Sequence, residues 1–103
     1  MYLDITVEFD LREWQPNLGL GITNQTELKD AINDYETNNG IYPAGVPKTW
    51  ESKGSIKGRT DGVLRRYLHY KYVIVVTHEQ VIKTWINAYQ IPYCSIHALE
   101  ITT

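Results

Sequence analysis

Little in this sequence is built for covalent or metal-held stability. Cys94 is the single cysteine among 103 residues, so no internal disulfide can form and no CxxC pair is available to a metal. A lone thiol suits a reducing compartment, and the cytoplasm is the expected location. No apolar run approaches the roughly eighteen residues that a membrane helix needs. The opening MYLDITVEFD carries acids from Asp4 onward, with no basic stretch leading into an apolar one. Neither a membrane span nor a signal peptide is therefore expected. His69, His78 and His97 are scattered, without HxH or HExxH spacing, and no metal or cofactor is expected. Phosphate-loop spacing is missing too: no glycine-rich run ends in GK followed by Ser or Thr, and no GxGxxG follows a strand-like segment.

What is present suffices for one folded domain over residues 1–103. Hydrophobic residues make up 43% of the chain, charged residues 21%, and eight of the side chains are tyrosine, enough apolar surface to offset chain entropy. The net charge of -2 hides an uneven distribution. Acids dominate up to Glu51 (Asp4, Glu8, Asp10, Glu13, Glu27, Asp30, Asp34, Glu36 and Glu51 against Arg12, Lys29 and Lys48), and bases dominate beyond it. Six of the ten basic side chains, Lys53, Lys57, Arg59, Arg65, Arg66 and Lys71, fall between Ser52 and Tyr72, with Asp61 the single acid among them. Halves of opposite sign can pair within the fold, pair between subunits, or present a basic patch to a polyanion.

Periodicity assigns the elements. Leu3, Ile5, Val7, Phe9 and Leu11 alternate with Asp4, Thr6, Glu8 and Asp10, a strand with one buried face and one acidic wet face. Asn24 and Glu27 have capping-box spacing, Leu28, Ala31, Ile32 and Tyr35 recur on one helical stripe, and Asn38-Asn39-Gly40 supplies a left-handed stop. Residues 40–62 hold two prolines and five glycines; part of this stretch is expected to pair as a short strand anchored by Trp50. Thr60 or Asp61 then caps a short basic helix with Val63, Leu64, Tyr67 and Leu68 inward and Arg65, Arg66 and His69 outward. YKYVIVVT, residues 70–77, has the β-branched composition of a covered central strand. Val81, Ile82, Trp85, Ile86 and Tyr89 have helical spacing, with Thr77 and Gln80 as a capping pair and Pro92 as the stop. PYCSIHALEITT is a closing edge strand.

Two strand–helix units returning to one sheet make an α+β fold, a two-layer α/β sandwich similar to the ferredoxin-like β-α-β-β-α-β arrangement with an irregular basic middle segment. That architecture hosts many activities and transmits none. The favoured reading is a small cytosolic, non-enzymatic binding protein that contacts a protein or nucleic-acid partner through residues 40–70, with Trp50, Lys53, Lys57, Arg59, Arg65 and Arg66 as contact residues. Edge strands predict sheet-extending homodimerisation. Trp14 and Trp50 are candidates for exposed interface anchors, while Trp85 belongs to the core.

Two alternatives use other chemistry. A metal-independent ribonuclease needs a group titrating near neutrality and fixed cations for the phosphorane; His69, Arg59, Arg65, Arg66 and Tyr67 are the residues of the right type. The run RRYLHYKYVIVVT loosely resembles small ribonuclease toxins, but that likeness would put Thr84 and Trp85 on a strand where their spacing is helical. An acidic inhibitor or nucleic-acid mimic would instead present Asp4, Glu8 and Asp10 to a basic partner.

Overall fold

The computed structural model describes residues 4–88 and 90–101. Leu3 of the first expected strand, Tyr89 of the last expected helix, and Thr102 and Thr103 of the closing strand lie outside them. Helix α1 (Gln25–Thr37) starts where its cap predicts: the Asn24 side chain accepts from the Glu27 amide at 2.9 Å, and the Glu27 carboxylate reaches back to the Thr23 amide at 2.9 Å. It stops because Asn39 (φ +55°) and Gly40 (φ +70°) turn left-handed. Gly40 is irreplaceable on two counts. Its φ strains any L side chain, and a Cβ there would lie 2.7 Å from Lys53 Cβ and 2.9 Å from the Tyr35 ring.

Helix α2 (Lys53–Arg65) is the first departure from expectation. The middle segment forms no short strand; after a loop, Ser52 caps Ser55 at 3.1 Å and the helix begins eight residues before Asp61. Three glycines and a sparse apolar stripe conceal it: Ile56, Thr60 and Val63 are its buried residues. Thr60 survives burial by donating to the Ile56 carbonyl at 2.7 Å and accepting from Trp85 Nε1 at 2.8 Å. Gly58 and Gly62 face open space, with nothing within 4 Å of where a Cβ would stand. Gly58→Ala and Gly62→Ala are each expected to stabilise the protein by about 0.5–1 kcal/mol, because alanine loses less backbone entropy in a helix interior. Urea unfolding checks this, and a loss of stability in either variant would mean that the glycine face is covered. Helix α3 (Glu79–Trp85) carries the expected stripe but ends at Trp85, short of Pro92, and it is capped by Glu13 rather than Thr77: the Glu13 carboxylate accepts from the Gln80 amide at 3.2 Å.

The core is aromatic. Trp14, Tyr35, Trp50, Ile56 and Val81 cluster, with Ala31, Ile32 and Tyr42 packed on them. Ring centroids are 4.9 Å apart for Trp14–Tyr35, 5.2 Å for Tyr35–Trp50 and 5.0 Å for Tyr42–Trp50, in tilted or edge-on geometries that favour ring edge on ring face. Trp14 and Trp50, candidates for exposed anchors, are thus buried, and the expected core residue Trp85 is only partly covered, with Lys57 Nζ 3.5 Å from its ring centroid.

The α+β sandwich is overturned. Among the described residues there is no strand, only three helices and one 3₁₀ turn at Phe9–Leu11, so the ferredoxin-like arrangement does not apply. Segments 4–8, 71–78 and 90–101 have strand composition but no ladder, and a strand without a partner leaves its backbone groups to water. Helix α2 packs on α3 and on the 3₁₀ turn. Among the described residues no helix is long and apolar enough to cross a membrane.

Candidate functional site

The basic segment is largely consumed by the fold. Arg59 lies on the inner side of α2 with its side chain 10% exposed. Its guanidinium holds Glu51 through Nε to Oε2 at 2.8 Å and Nη2 to Oε1 at 3.0 Å. It also donates to the carbonyls of Asp10 at 2.6 Å, Arg12 at 2.8 Å and Glu13 at 3.3 Å. This planar fork ties α2 to the 3₁₀ turn and to the chain leading into Trp14. Glu51 is itself buried and takes two further bonds, from Ser55 Oγ at 2.9 Å and the Gln15 amide at 3.3 Å. Burial pushes its carboxyl upward, but the bonds from Arg59 and Ser55, the Arg59 charge and the Gln15 amide together hold it below the ordinary carboxylate value. The Arg59 guanidinium is thus occupied by Glu51 and three backbone carbonyls inside the fold.

Farther along, Arg65 pairs with Asp61 at 2.7 Å one turn earlier, and Arg66 reaches Glu8 at 3.1 Å. The Tyr67 hydroxyl donates to the other Glu8 oxygen at 2.5 Å. That bond, with desolvation and the Glu8 charge, holds the Tyr67 phenol above its ordinary value. His69 is exposed, its ring 4.2 Å from that of Tyr70. Lys53 is exposed beside the start of α2, and Lys57 covers Trp85. Of the contact residues expected from the sequence, Trp50 is buried and Arg59 internal, while Lys53, Lys57, Arg65 and Arg66 remain at the surface. The ribonuclease set is not assembled around a common point: Arg59 faces Glu51, whereas Arg66 and Tyr67 converge on Glu8.

Glu8 also changes the meaning of the acidic row. Asp4 and Asp10 are exposed, but Glu8 is half-buried between Arg66 and Tyr67. The acidic start and the basic middle therefore neutralise one another locally. Two open clefts lie elsewhere. One of about 520 Å³ runs between α1 and residues 16–22, lined by Glu27, Asp30, Asp34 and Trp50; another of about 700 Å³ lies where α1 ends near α3, lined by Tyr35, Glu36, Lys53, Glu79 and Lys83. In the second, burial first and the charge of Glu51 next push the Tyr35 phenol up to about 12, leaving it neutral at physiological pH.

The conspicuous surface is apolar. Ile5, Val7 and Phe9 are 90%, 91% and 75% exposed. Along the second unladdered segment Tyr72, Ile74 and Val76 are 84%, 84% and 87% exposed, and the intervening Val73 and Val75 are 47% and 40% exposed. This two-residue alternation is that of an extended chain with one β-branched and aromatic face turned wholly to solvent. Thr77 Oγ1 donates to the Leu11 carbonyl at 2.6 Å, so the two segments meet at one end. Both segments have the strand composition expected of a core face, and the structure leaves those faces open, since composition shows that a face wants cover and not what covers it.

Comparison with known proteins finds no match to a protein-family model, a curated protein or a solved structure.

Proposed function

We propose that the chain is a non-enzymatic interaction protein of the cytoplasm, which binds a macromolecular partner through the apolar faces of residues 5–9 and 72–76. The observation that carries this reading is the exposure of Ile5, Val7, Tyr72, Ile74 and Val76 on a chain in which Arg59 and Arg66 bond to Asp10 and Glu8 beside the first segment, and Thr77, next to the second, bonds to Leu11. Exposed apolar faces of this kind favour a partner, because leaving them wet costs about 25 cal/mol for each Å² that a partner could cover. Arg65, Arg66, His69 and Lys71 form the polar rim, so the late part of the basic segment contributes to the contact while Arg59 and Trp50 support it from within. The exposed thiol of Cys94 suits a reducing compartment.

A photo-reactive phenylalanine at position 72 tests the reading in cells that express the protein. It is expected to yield discrete high-mass adducts, whereas the same group at exposed Lys29 on α1 yields none. Equal labelling at the two positions, or none at either, would refute the proposed face.

A further inference from the structure

We infer that Asn39 is a self-modification site, held closed by the fold and converted to aspartate or isoaspartate when the corner between α1 and α2 opens. The chemistry is independent of the proposed binding faces. Two observations carry it, and the nature of the product makes the event one-way.

The first observation is chemical. Asn39 is the one asparagine of the chain that is followed by glycine. Its side chain is exposed and borders the open cleft near α3, so the carboxamide and the water that consumes it meet freely. Asparagine is a thermolabile residue for this reason. In the reaction the Gly40 amide nitrogen gives up its proton and attacks Asn39 Cγ. A C–N bond closes a succinimide ring, the Cγ–Nδ2 bond breaks, and the side-chain nitrogen leaves with the proton as ammonia. Water then opens the ring at Cγ, which gives isoaspartate or aspartate according to the carbonyl it adds to: the Asn39 backbone carbonyl for isoaspartate, Cγ for aspartate. Nothing is oxidised or reduced. Glycine favours the closure because no Cβ obstructs the attacking nitrogen.

The second observation is the lock. The Gly40 amide donates to the Tyr35 carbonyl at 2.8 Å, and the Gly40 carbonyl accepts from the Lys53 amide at 2.8 Å. Gly40 is buried, and the space beside its Cα is closed by Lys53 and the Tyr35 ring, which an added Cβ would meet at 2.7 Å and 2.9 Å. The attacking nitrogen can neither shed its proton nor move towards Cγ while these bonds stand. Reaction therefore waits for a local opening that breaks both. The neighbouring Asn38 is followed by Asn39 rather than glycine, and its Nδ2 is tied to the Asp34 carbonyl at 2.8 Å.

Isoaspartate adds a methylene to the main chain immediately before Gly40, which has no room to shift between Tyr35 and Lys53. Either product also replaces a neutral amide by a carboxylate just past the end of α1, beside Glu36, where the helix dipole disfavours negative charge. The converted corner cannot reclose as it was, and Tyr35, a member of the aromatic core, loses its neighbour.

Incubation of the full chain at mildly alkaline pH, in buffer and in unfolding urea, tests this by intact mass and by peptide mapping that separates aspartate from isoaspartate. Conversion at Asn39 is expected to be at least about tenfold slower in buffer than in urea, as a step that requires local opening must be. Asp61–Gly62 can form the same ring, but it loses water rather than ammonia and leaves the mass unchanged. Asn39→Gly, which suits the left-handed turn, is expected to abolish the mass gain in urea, a result that does not depend on whether the variant folds. The purified isoaspartate form, returned to buffer, is expected to melt below wild type. Equal rates in buffer and urea, no conversion in urea, or conversion chiefly at another asparagine would each overturn the inference, and an isoaspartate form that melts like wild type would overturn its one-way character.

Discussion

Arg59→Ala is expected to lower stability by about 3–5 kcal/mol, the cost of stripping one partner from a buried ion pair. Against the total of about 5–15 kcal/mol typical of a domain, such a loss leaves much of the population unfolded. Truncation would leave the Glu51 carboxylate, whose side chain is 3% exposed, with the Ser55 and Gln15 bonds alone. It would also take the donor from the carbonyls of Asp10, Arg12 and Glu13, releasing the 3₁₀ turn from α2. Arg59→Lys is expected to recover only part of the loss, because a single ammonium cannot span the carboxylate and three carbonyls. Urea unfolding followed by tryptophan fluorescence measures both variants. A midpoint for Arg59→Ala equal to wild type would return Arg59 to the surface contacts.

Acid attacks the same node. The Glu51 carboxyl is held below its ordinary value, and so is that of Asp34, chiefly by the bond from Trp50 and then by Lys48. A depressed folded value means that the unfolded chain binds protons more readily. The stabilisation is therefore complete above the ordinary carboxylate range, about pH 4, and is lost as pH falls through the lower folded values. The wild-type melting temperature is expected to fall along that limb, and the fall to be shallower in Arg59→Ala, where the Arg59 bonds and charge that help depress Glu51 are already lost.

Trp50→Ala is expected to cost about 3–5 kcal/mol, the range for deleting a buried large aromatic. Trp50 is 2% exposed, packs edge-on against Tyr35 and Tyr42, and donates through Nε1 to Asp34 Oδ2 at 2.8 Å. Its removal opens the centre of the aromatic cluster and also withdraws the strongest influence lowering the Asp34 carboxyl. Lys29→Ala, on the exposed side of α1, is expected to stay within about 0.5 kcal/mol of wild type. The two roles for Trp50 make opposite forecasts. As a partner anchor it would weaken binding and leave folding intact; as the centre of the core it weakens folding first, and thermal unfolding separates the two.

Local chemistry was legible where it acts locally. Asn24 and Glu27 announce α1, Asn39 and Gly40 end it, and the spacing of Val81, Ile82 and Trp85 marks α3, because caps, left-handed residues and a 3.6-residue stripe operate within one or two turns of chain. Helix α2 was hidden by three glycines, which lower helix propensity, and by Thr60 at the centre of its buried stripe. Its signal was Ser52 three residues before Ser55 with Ile56, Thr60 and Val63 at i, i+4 and i+7, faint beside the glycine pattern. The fate of the charged side chains was illegible: nothing near Arg59 in the chain predicts carbonyls nearly fifty residues away.

Alternation along residues 3–11 and the β-branched run at 70–77 dictated an apolar face in each segment without naming its cover. A strand is completed by whatever lies across the ladder, and that is a matter of which surfaces approach in space. Here the helices close an aromatic core around Trp50, Arg59 turns inward to Glu51, and Tyr72, Ile74 and Val76 are left facing water. The residues set what each segment could bury, and packing chose which of them were buried, because hydrophobic burial has no direction of its own and is satisfied by whichever surface arrives.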